Sequence, residues 1–335
     1  MRAAVVERYG GPEVVRLREV AEPVIGEGDV LVRVEATTVG PTDGTNRSGR
    51  PAFGRLYFGL TRPKHPVPGY DFAGVVERVG SGVRRFGLGD RVYGTLAPTP
   101  GAHAELVRVA EDGVIAPIPA GLDAAGAVSL LDAFLTAIPF LRDGARLRAG
   151  QAVLVNGASG SVGSAAVQYA KHLGATVVGV CSTGNVELVR SLGADRVIDY
   201  TRDDFAAASD RYDVIFDAVG KRSFRECRGA LTPNGIYLST VPTLPVLLRA
   251  RQARSADTGR RAGILFTGLR SIADKTADLA LIGELATTGA IRPVIDRIVP
   301  FDEIADAHRR VDGGHKVGSV VLAVSRVTQD TERAS

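Results

Sequence analysis

The first third of the chain is built of short runs in which apolar and polar positions alternate, broken by Gly and Pro. Val30, Val32, Val34 and Ala36 alternate with Leu31, Arg33, Glu35 and Thr37, the two-residue period of a strand with one buried face. The same period recurs over 73–80, 89–94 and 103–109, so residues 1 to about 120 predict a small, mostly β domain whose strands are too short for a parallel sheet. Beyond residue 122 the pattern changes. Ala-rich helical stretches now separate compact apolar runs at 152–157, 175–180, 196–199, 212–220 and 235–240, and strand–helix repetition of this kind predicts a parallel sheet. A sixth run, 263–268, precedes a helical segment near 271–288 and completes a doubly wound, six-stranded α/β sheet. The tail returns to strands punctuated by Pro and Gly. The expected division is therefore 1–122 with 290–335 in one domain and 123–289 in the other.

Composition narrows the picture. With 335 residues, the chain has the length of two domains, each large enough to bury its own core. Lys and Arg number 41 against 37 Asp and Glu, and a net charge of +4 spread over the chain, without Trp, does not form the clustered basic face that nucleic acid requires. Cys181 and Cys227 have no neighbours at zinc-site or redox-pair spacing, which fits a reducing compartment. His65, His103, His172, His308 and His315 lack ligand spacing as well and read as surface or packing positions. No window approaches the ~18 uninterrupted apolar residues of a membrane span, and the N-terminus carries no signal-like apolar stretch, so the expectation is a cytoplasmic protein without membrane contact. Segment 241–262, with Pro242, Pro245, Arg249, Arg251 and Arg254, reads as a loop.

The chemistry concentrates in residues 151–185. A buried strand runs into Gly157, Ala158, Ser159, Gly160, Ser161, Val162 and Gly163, then into a helix with Val162, Ala166, Tyr169 and Leu173 on one face. Glycine is needed where the turn takes unusual φ or a bulky ligand approaches the backbone, and a helix N-terminus offers N–H groups and a favourable dipole to a pyrophosphate. Ala stands where the usual dinucleotide fingerprint has its first Gly, but the strand–turn–helix–strand context is complete. A purely structural βα turn is the alternative. At the end of the second strand, an Asp or Glu would bind the adenosine ribose and repel a 2′-phosphate. Here stand Ser182, Thr183, Gly184 and Asn185, two hydroxyls and no carboxylate, so NADPH is the expected cofactor, with Arg196 and Tyr200 beside the third strand as possible helpers.

The Gly-rich unit, residues 65–92 (HPVPGYDFAGVVERVGSGVRRFGLGDRV) and the tail GHKVGSVVL at 314–322 together resemble the medium-chain dehydrogenase/reductase superfamily, specifically its zinc-free quinone oxidoreductase-like branch. The resemblance covers nearly the whole chain. It implies a GroES-like β-barrel domain, a Rossmann domain, a cofactor in the cleft and a homodimer through the Rossmann sheet edge. Zinc-dependent relatives hold a metal with Cys and a Gly-His-Glu unit; here Gly69, Tyr70 and Asp71 take the place of that unit, and no cysteine cluster exists. Without that Lewis acid, the resemblance implies hydride delivery to an activated C=C bond of an enone, enal or enoyl substrate, or to a quinone. The alternatives are a metal-free carbonyl reductase or alcohol dehydrogenase, and a non-catalytic NADPH-binding protein.

Site residues follow from the same resemblance. Relatives carry an Asn and an Asp in the segment matching Gly40–Asp43; here only Asp43 remains. Tyr70 is the candidate proton donor to a developing enolate, with packing against the domain core as the other reading. Asp43 and Asp71 have turn and cap readings too. Tyr57 and Phe58 lie in a loop that overhangs the substrate in the family and are candidates for an apolar wall, with surface turn residues as the other reading. Thr136 matches a family residue near the nicotinamide; Val219, Gly220, Ser239 and Thr240 sit at strand C-termini, where a doubly wound fold binds its ligand; Lys316 and Gly318 match a segment that closes over the cofactor. Substrate choice is assigned to the loops 44–64 and 241–262.

Overall fold

The computed structural model describes residues 1–207, 211–242 and 259–324, so most of the predicted 241–262 loop lies outside the described residues. The chain divides into two units: Met1–Leu131 with Ser271–Thr287 and the segment from Ile295 onward, and Asp132–Arg270 with Thr288–Val294.

The second unit is a six-stranded sheet built of β8 (Ala152–Asn156), β9 (Thr176–Cys181), β10 (Arg196–Asp199), β11 (Tyr212–Asp217), β12 (Leu231–Ser239) and β13 (Arg261–Gly263). Their order is β10-β9-β8-β11-β12-β13 and every pairing is parallel. The continuous apolar runs are explained by burial on both faces: Val153, Leu154, Val155, Ile215 and Phe216 are inaccessible to solvent. Strand order reverses between β8 and β11, which makes their C-terminal ends a topological switch point, the place where such sheets bind ligands. One boundary differs from expectation. The sixth strand is Arg261–Gly263, not 263–268, because Leu265 turns its side chain toward Gly144 instead of extending the ladder, and Thr267–Leu269 closes into a 3₁₀ turn.

The first unit holds β1 (Arg2–Val5) and β2 (Arg16–Glu19) as a separate pair, and a larger sheet of β3 (Asp29–Val39), β4 (Asp71–Val79), β5 (Arg91–Thr95), β6 (Leu106–Ala110), β7 (Val114–Pro117), β14 (Ile295–Pro300) and β15 (Ser319–Ala323). Its path is β14-β15-β3-β4-β5-β7, with β6 also on β3. Val30, Val32, Val34, Phe72, Val92, Ile115, Val320 and Leu322 form its core. The alternation read in β3 holds at its centre, where Val32 and Val34 are buried and Arg33 is exposed; Leu31 and Thr37 on the other face are buried as well. One pair in this sheet, β14 with β15 from the tail, is parallel. A parallel pair needs a crossover, and the helix Ile304–Asp312 between these strands supplies it.

The division of the chain also departs from the expected boundaries. The helix Ile272–Thr287 belongs with the β unit, where Tyr93 Oη donates to Leu279 O at 3.4 Å and Lys275 Nζ to Ala97 O at 2.7 Å. Thr288–Val294 stays with the parallel sheet, tied by reciprocal bonds between Arg292 and the Gln168 amide. Among the described residues one helix, Ala124–Gly144, has the length and hydropathy to cross a membrane, but 83% of its apolar window is buried inside the protein, as in a core helix.

Candidate functional site

In the second unit the turn after β8 is fixed by backbone geometry. Gly157 has φ +82°, a left-handed conformation, and its N–H and that of Ala158 both donate to Val180 O. The helix Ser161–His172 then starts from Gly160, with no side-chain cap, which leaves donors of its first turn for an anion. A Cβ on Gly163 would lie 2.0 Å from Gly157 O, so only glycine lets helix and turn approach this closely, whereas a Cβ on Gly160 would meet only Gly157 O, at 3.4 Å. Glycine thus keeps the turn both tight and open. This cradle fits a dinucleotide pyrophosphate.

The adjoining strand ends are organised by a residue the sequence reading missed. Asp217, buried at the end of β11, accepts from Asn156 Nδ2 at 2.9 Å, Val219 N at 3.0 Å, Gly220 N at 2.9 Å and Tyr237 Oη at 2.7 Å, while its carbonyl accepts from Thr240 N. Burial, and next the Asp217 charge, push the Tyr237 phenol upward, so it remains a donor. Val219, Gly220, Ser239 and Thr240 therefore lie on one framework beside the glycine turn: Gly157 faces Val219, and Val241 N donates to Ser239 Oγ at 3.2 Å. The signal was present in the sequence. Asn156 and Asp217 are polar residues closing otherwise apolar runs. Thr136 is half-buried in the helix Ala124–Pro139.

At the end of β9, Asn185 Nδ2 donates to Ser159 Oγ at 3.1 Å and Ser182 Oγ at 3.2 Å, joining three predicted residues. Thr183 is engaged differently. Its hydroxyl donates to Asp199 Oδ2 at 2.5 Å and contacts Thr201 Oγ1 at 3.1 Å. The reading that no carboxylate stands here is therefore corrected: β10 pairs in register with β9, Asp199 opposite Cys181, which brings a carboxylate from the neighbouring strand to this level. Arg196 does not reach the loop, since its guanidinium donates to Tyr212 Oη at the far end of β10. The Tyr200 N–H donates to Cys181 O, and its side chain is largely exposed.

In the first unit the loop carrying Tyr70 is clamped on all sides. Gly69 O accepts from Gly101 N and Ala102 N, Pro68 O from His103 N, and Tyr70 O from Leu96 N at 2.7 Å. Gly69 has φ +85°, and a Cβ there would lie 2.2 Å from the His103 ring, so the position requires glycine. Asp43, 3% exposed, accepts from Gly69 N at 3.0 Å and Gly40 N at 2.9 Å. Its carboxylate thus caps the helix Pro41–Ser48 and fastens the Tyr70 loop to it, each oxygen accepting one backbone N–H. Burial, then the charge of Asp43 and the nearby Tyr57, raise the Tyr70 phenol above its ordinary value, keeping it protonated. Asp71 is buried, with Oδ2 accepting from Thr38 Oγ1 at 3.2 Å.

Tyr57 and Phe58 pack edge to face, 5.1 Å between centroids, in the short helix Arg55–Phe58. Leu56 and Leu60 on the same segment are 81% and 69% exposed, beside the exposed Tyr57. Tyr9 Oη donates to Gly59 O and holds the segment down. Lys316 and Gly318 belong to this first unit, where Lys316 Nζ donates to Gly318 O at 2.7 Å. Cys181 and Cys227 are buried free thiols in the second unit, pushed by burial up to about 11 and about 12. Among the described residues no group of three or more His, Cys, Asp or Glu is arranged to hold a metal ion.

Two family profiles match the chain: the alcohol dehydrogenase GroES-like domain over residues 26–120 and the zinc-binding dehydrogenase over residues 192–322. The chloroplastic NADPH-dependent alkenal/one oxidoreductase of Arabidopsis thaliana is 33% identical across 96% of this chain and 79% of its own length. A quinone oxidoreductase of Lama guanicoe is 31% identical over 96% of this chain and 97% of its own. Among solved structures, the quinone oxidoreductase of Coxiella burnetii superposes with a TM-score of 0.84 at 29% identity, covering 97% of this chain and 99% of that one.

Proposed function

The chain belongs to the medium-chain dehydrogenase/reductase superfamily, and from that premise we propose that it is a zinc-independent, NADPH-dependent oxidoreductase acting on an activated C=C bond of an enone, enal or enoyl substrate, or on a quinone. The observation that carries the proposal is the Gly69–Asp71 loop, where Asp43 fastens the backbone beside a half-buried, protonated Tyr70 phenol. The similarity to alkenal/one and quinone oxidoreductases supports the same reaction class. Zinc independence is supported by the donor set: a phenol stands in this loop, and both thiols are buried in the other unit.

In this proposal Gly157, Ser159, Gly160, Ser161, Val162 and Gly163 hold the pyrophosphate, Ser182, Thr183, Asn185 and Tyr200 the adenosine ribose, and Thr136, Val219, Gly220, Ser239 and Thr240 the nicotinamide half. Lys316 and Gly318 are assigned to closure over the nucleotide. When bound, NADPH supplies a hydride. Tyr70 donates a hydrogen bond to the substrate carbonyl oxygen as negative charge develops on it, and its raised ionisation keeps that donor in place at neutral pH. Tyr57, Phe58 and the exposed Leu56 and Leu60 offer an apolar wall and exclude water. We further assign the chain to the cytoplasm, as a homodimer through an edge of the parallel sheet.

The test compares the wild type with Tyr70→Phe, measuring NADPH binding by fluorescence and NADPH consumption with a simple conjugated enone and with a quinone. The expected result is unchanged NADPH affinity and a kcat lower by roughly a hundredfold in the variant. Retention of most activity would remove Tyr70 from the chemistry, and binding without consumption of NADPH by any such acceptor would overturn the catalytic reading.

A further inference from the structure

The two hydroxyls at the end of β9 are wired in opposite senses. Ser182 Oγ accepts a hydrogen bond from Asn185 Nδ2, so its own proton remains available to a ligand. Thr183 Oγ1 gives its proton to Asp199 Oδ2, and Thr201 Oγ1 gives its proton to Asp199 Oδ1 at 2.7 Å. Thr183 and Thr201, 3.1 Å apart, can therefore offer a ligand only lone pairs. Lone pairs suit a ribose hydroxyl, which donates; they do not suit a phosphate, which at neutral pH chiefly accepts.

Charge acts in the same direction. The hydroxyl donors of Thr183 and Thr201 hold the Asp199 carboxyl below its ordinary range, so it is ionised at neutral pH. The cation near it, Arg202, lies 3.6 Å from Oδ2 on a side chain that is 73% exposed, and water screens that pairing.

We propose that Asp199 is a cofactor-specificity residue: by taking the Thr183 proton and placing a negative charge at the end of β9, it disfavours an adenosine 2′-phosphate and narrows the preference of this chain for NADPH over NADH. The proposal rests on the nucleotide-binding reading above. Ser182 favours the phosphate, Asp199 opposes it, and the net preference is the difference.

The experiment is titration of the intrinsic fluorescence of NADPH and of NADH against the wild type, Asp199→Asn and Ser182→Ala, read as the ratio of the two dissociation constants. NADH serves as the internal control for an intact pocket. Asp199→Asn is expected to widen the preference for NADPH by about five- to tenfold, as removal of one charge near a phosphate would in a medium of intermediate dielectric, and Ser182→Ala to narrow it. An unchanged or narrowed ratio in Asp199→Asn, with NADH still bound, would overturn the role of Asp199 alone. Failure of the wild type to bind either nucleotide would overturn the nucleotide reading and this proposal with it.

Discussion

His308, on the helix Ile304–Asp312, is fully buried, and neither ring nitrogen has a hydrogen-bond partner among the described residues. Its ring stands 6.2 Å from that of His103, which donates through Nε2 to Thr38 O at 2.8 Å. Arg47, from the helix Pro41–Ser48, also faces it and is paired with Asp312 at 2.6 Å. Burial, with His103 and Arg47 adding to it, pushes the His308 ring down to about 2, against an ordinary value of 6.5 in the unfolded chain. Below pH 6.5 the unfolded chain therefore binds a proton that the folded chain refuses, and stability falls as pH falls. The contribution is complete above pH 6.5 and is lost at about 1.4 kcal/mol per pH unit on the way to the folded value. At pH 5 the loss from this one ring is about 2 kcal/mol. The carboxylates held low, such as Asp296 at about 2, lose their pairing only at lower pH, so the window from 6.5 to 5 isolates the histidine. Urea unfolding at pH 7.5, 6 and 5 should show this slope in the wild type, and His308→Gln and His308→Leu, whatever their stability at pH 7.5, should flatten it by about 2 kcal/mol over the window. Equal slopes in wild type and both variants would refute the reasoning.

Three further perturbations test the framework. Asp217→Ala removes the acceptor shared by Asn156 Nδ2, Val219 N, Gly220 N and Tyr237 Oη; Tyr237 keeps Arg222 O as a partner, but the buried Asn156 amide loses this one, and the change should cost about 2 kcal/mol or more together with nucleotide affinity, while a loss below about 1 kcal/mol by urea unfolding would contradict it. Gly69→Ala forces a Cβ into the His103 ring at φ +85°, and should destabilise by about 2 kcal/mol or more and lower kcat more than NADPH affinity. Asp43→Asn can accept from only one of Gly40 N and Gly69 N through its single amide oxygen, so turnover should fall while nucleotide binding, measured by fluorescence, is retained.

The parallel sheet was legible because its strands are isolated apolar runs, buried on both faces at the centre of the sheet: β8 and β10 begin where the runs begin. The run Ile264–Phe266 misled for the same reason, since an apolar segment that packs beside a sheet cannot be told from one inside it by composition alone. The parallel pair β14–β15 was hidden because pairing is a nonlocal property. At the site, glycine turns and hydroxyls were readable because their chemistry is local. Asp199 was not, because its approach to Thr183 depends on the register of two strands, nor was the double backbone anchorage of Asp43 across 26 residues of chain. A lone histidine such as His308 carries no sign of its surroundings until the helix is packed.

The most direct measurement of the chemistry uses NADPH carrying deuterium at the transferable position of its nicotinamide ring, a conjugated enone and NMR of the product. Reduction of the C=C bond predicts a saturated ketone with deuterium on the β-carbon. An allylic alcohol with deuterium on the former carbonyl carbon would contradict it.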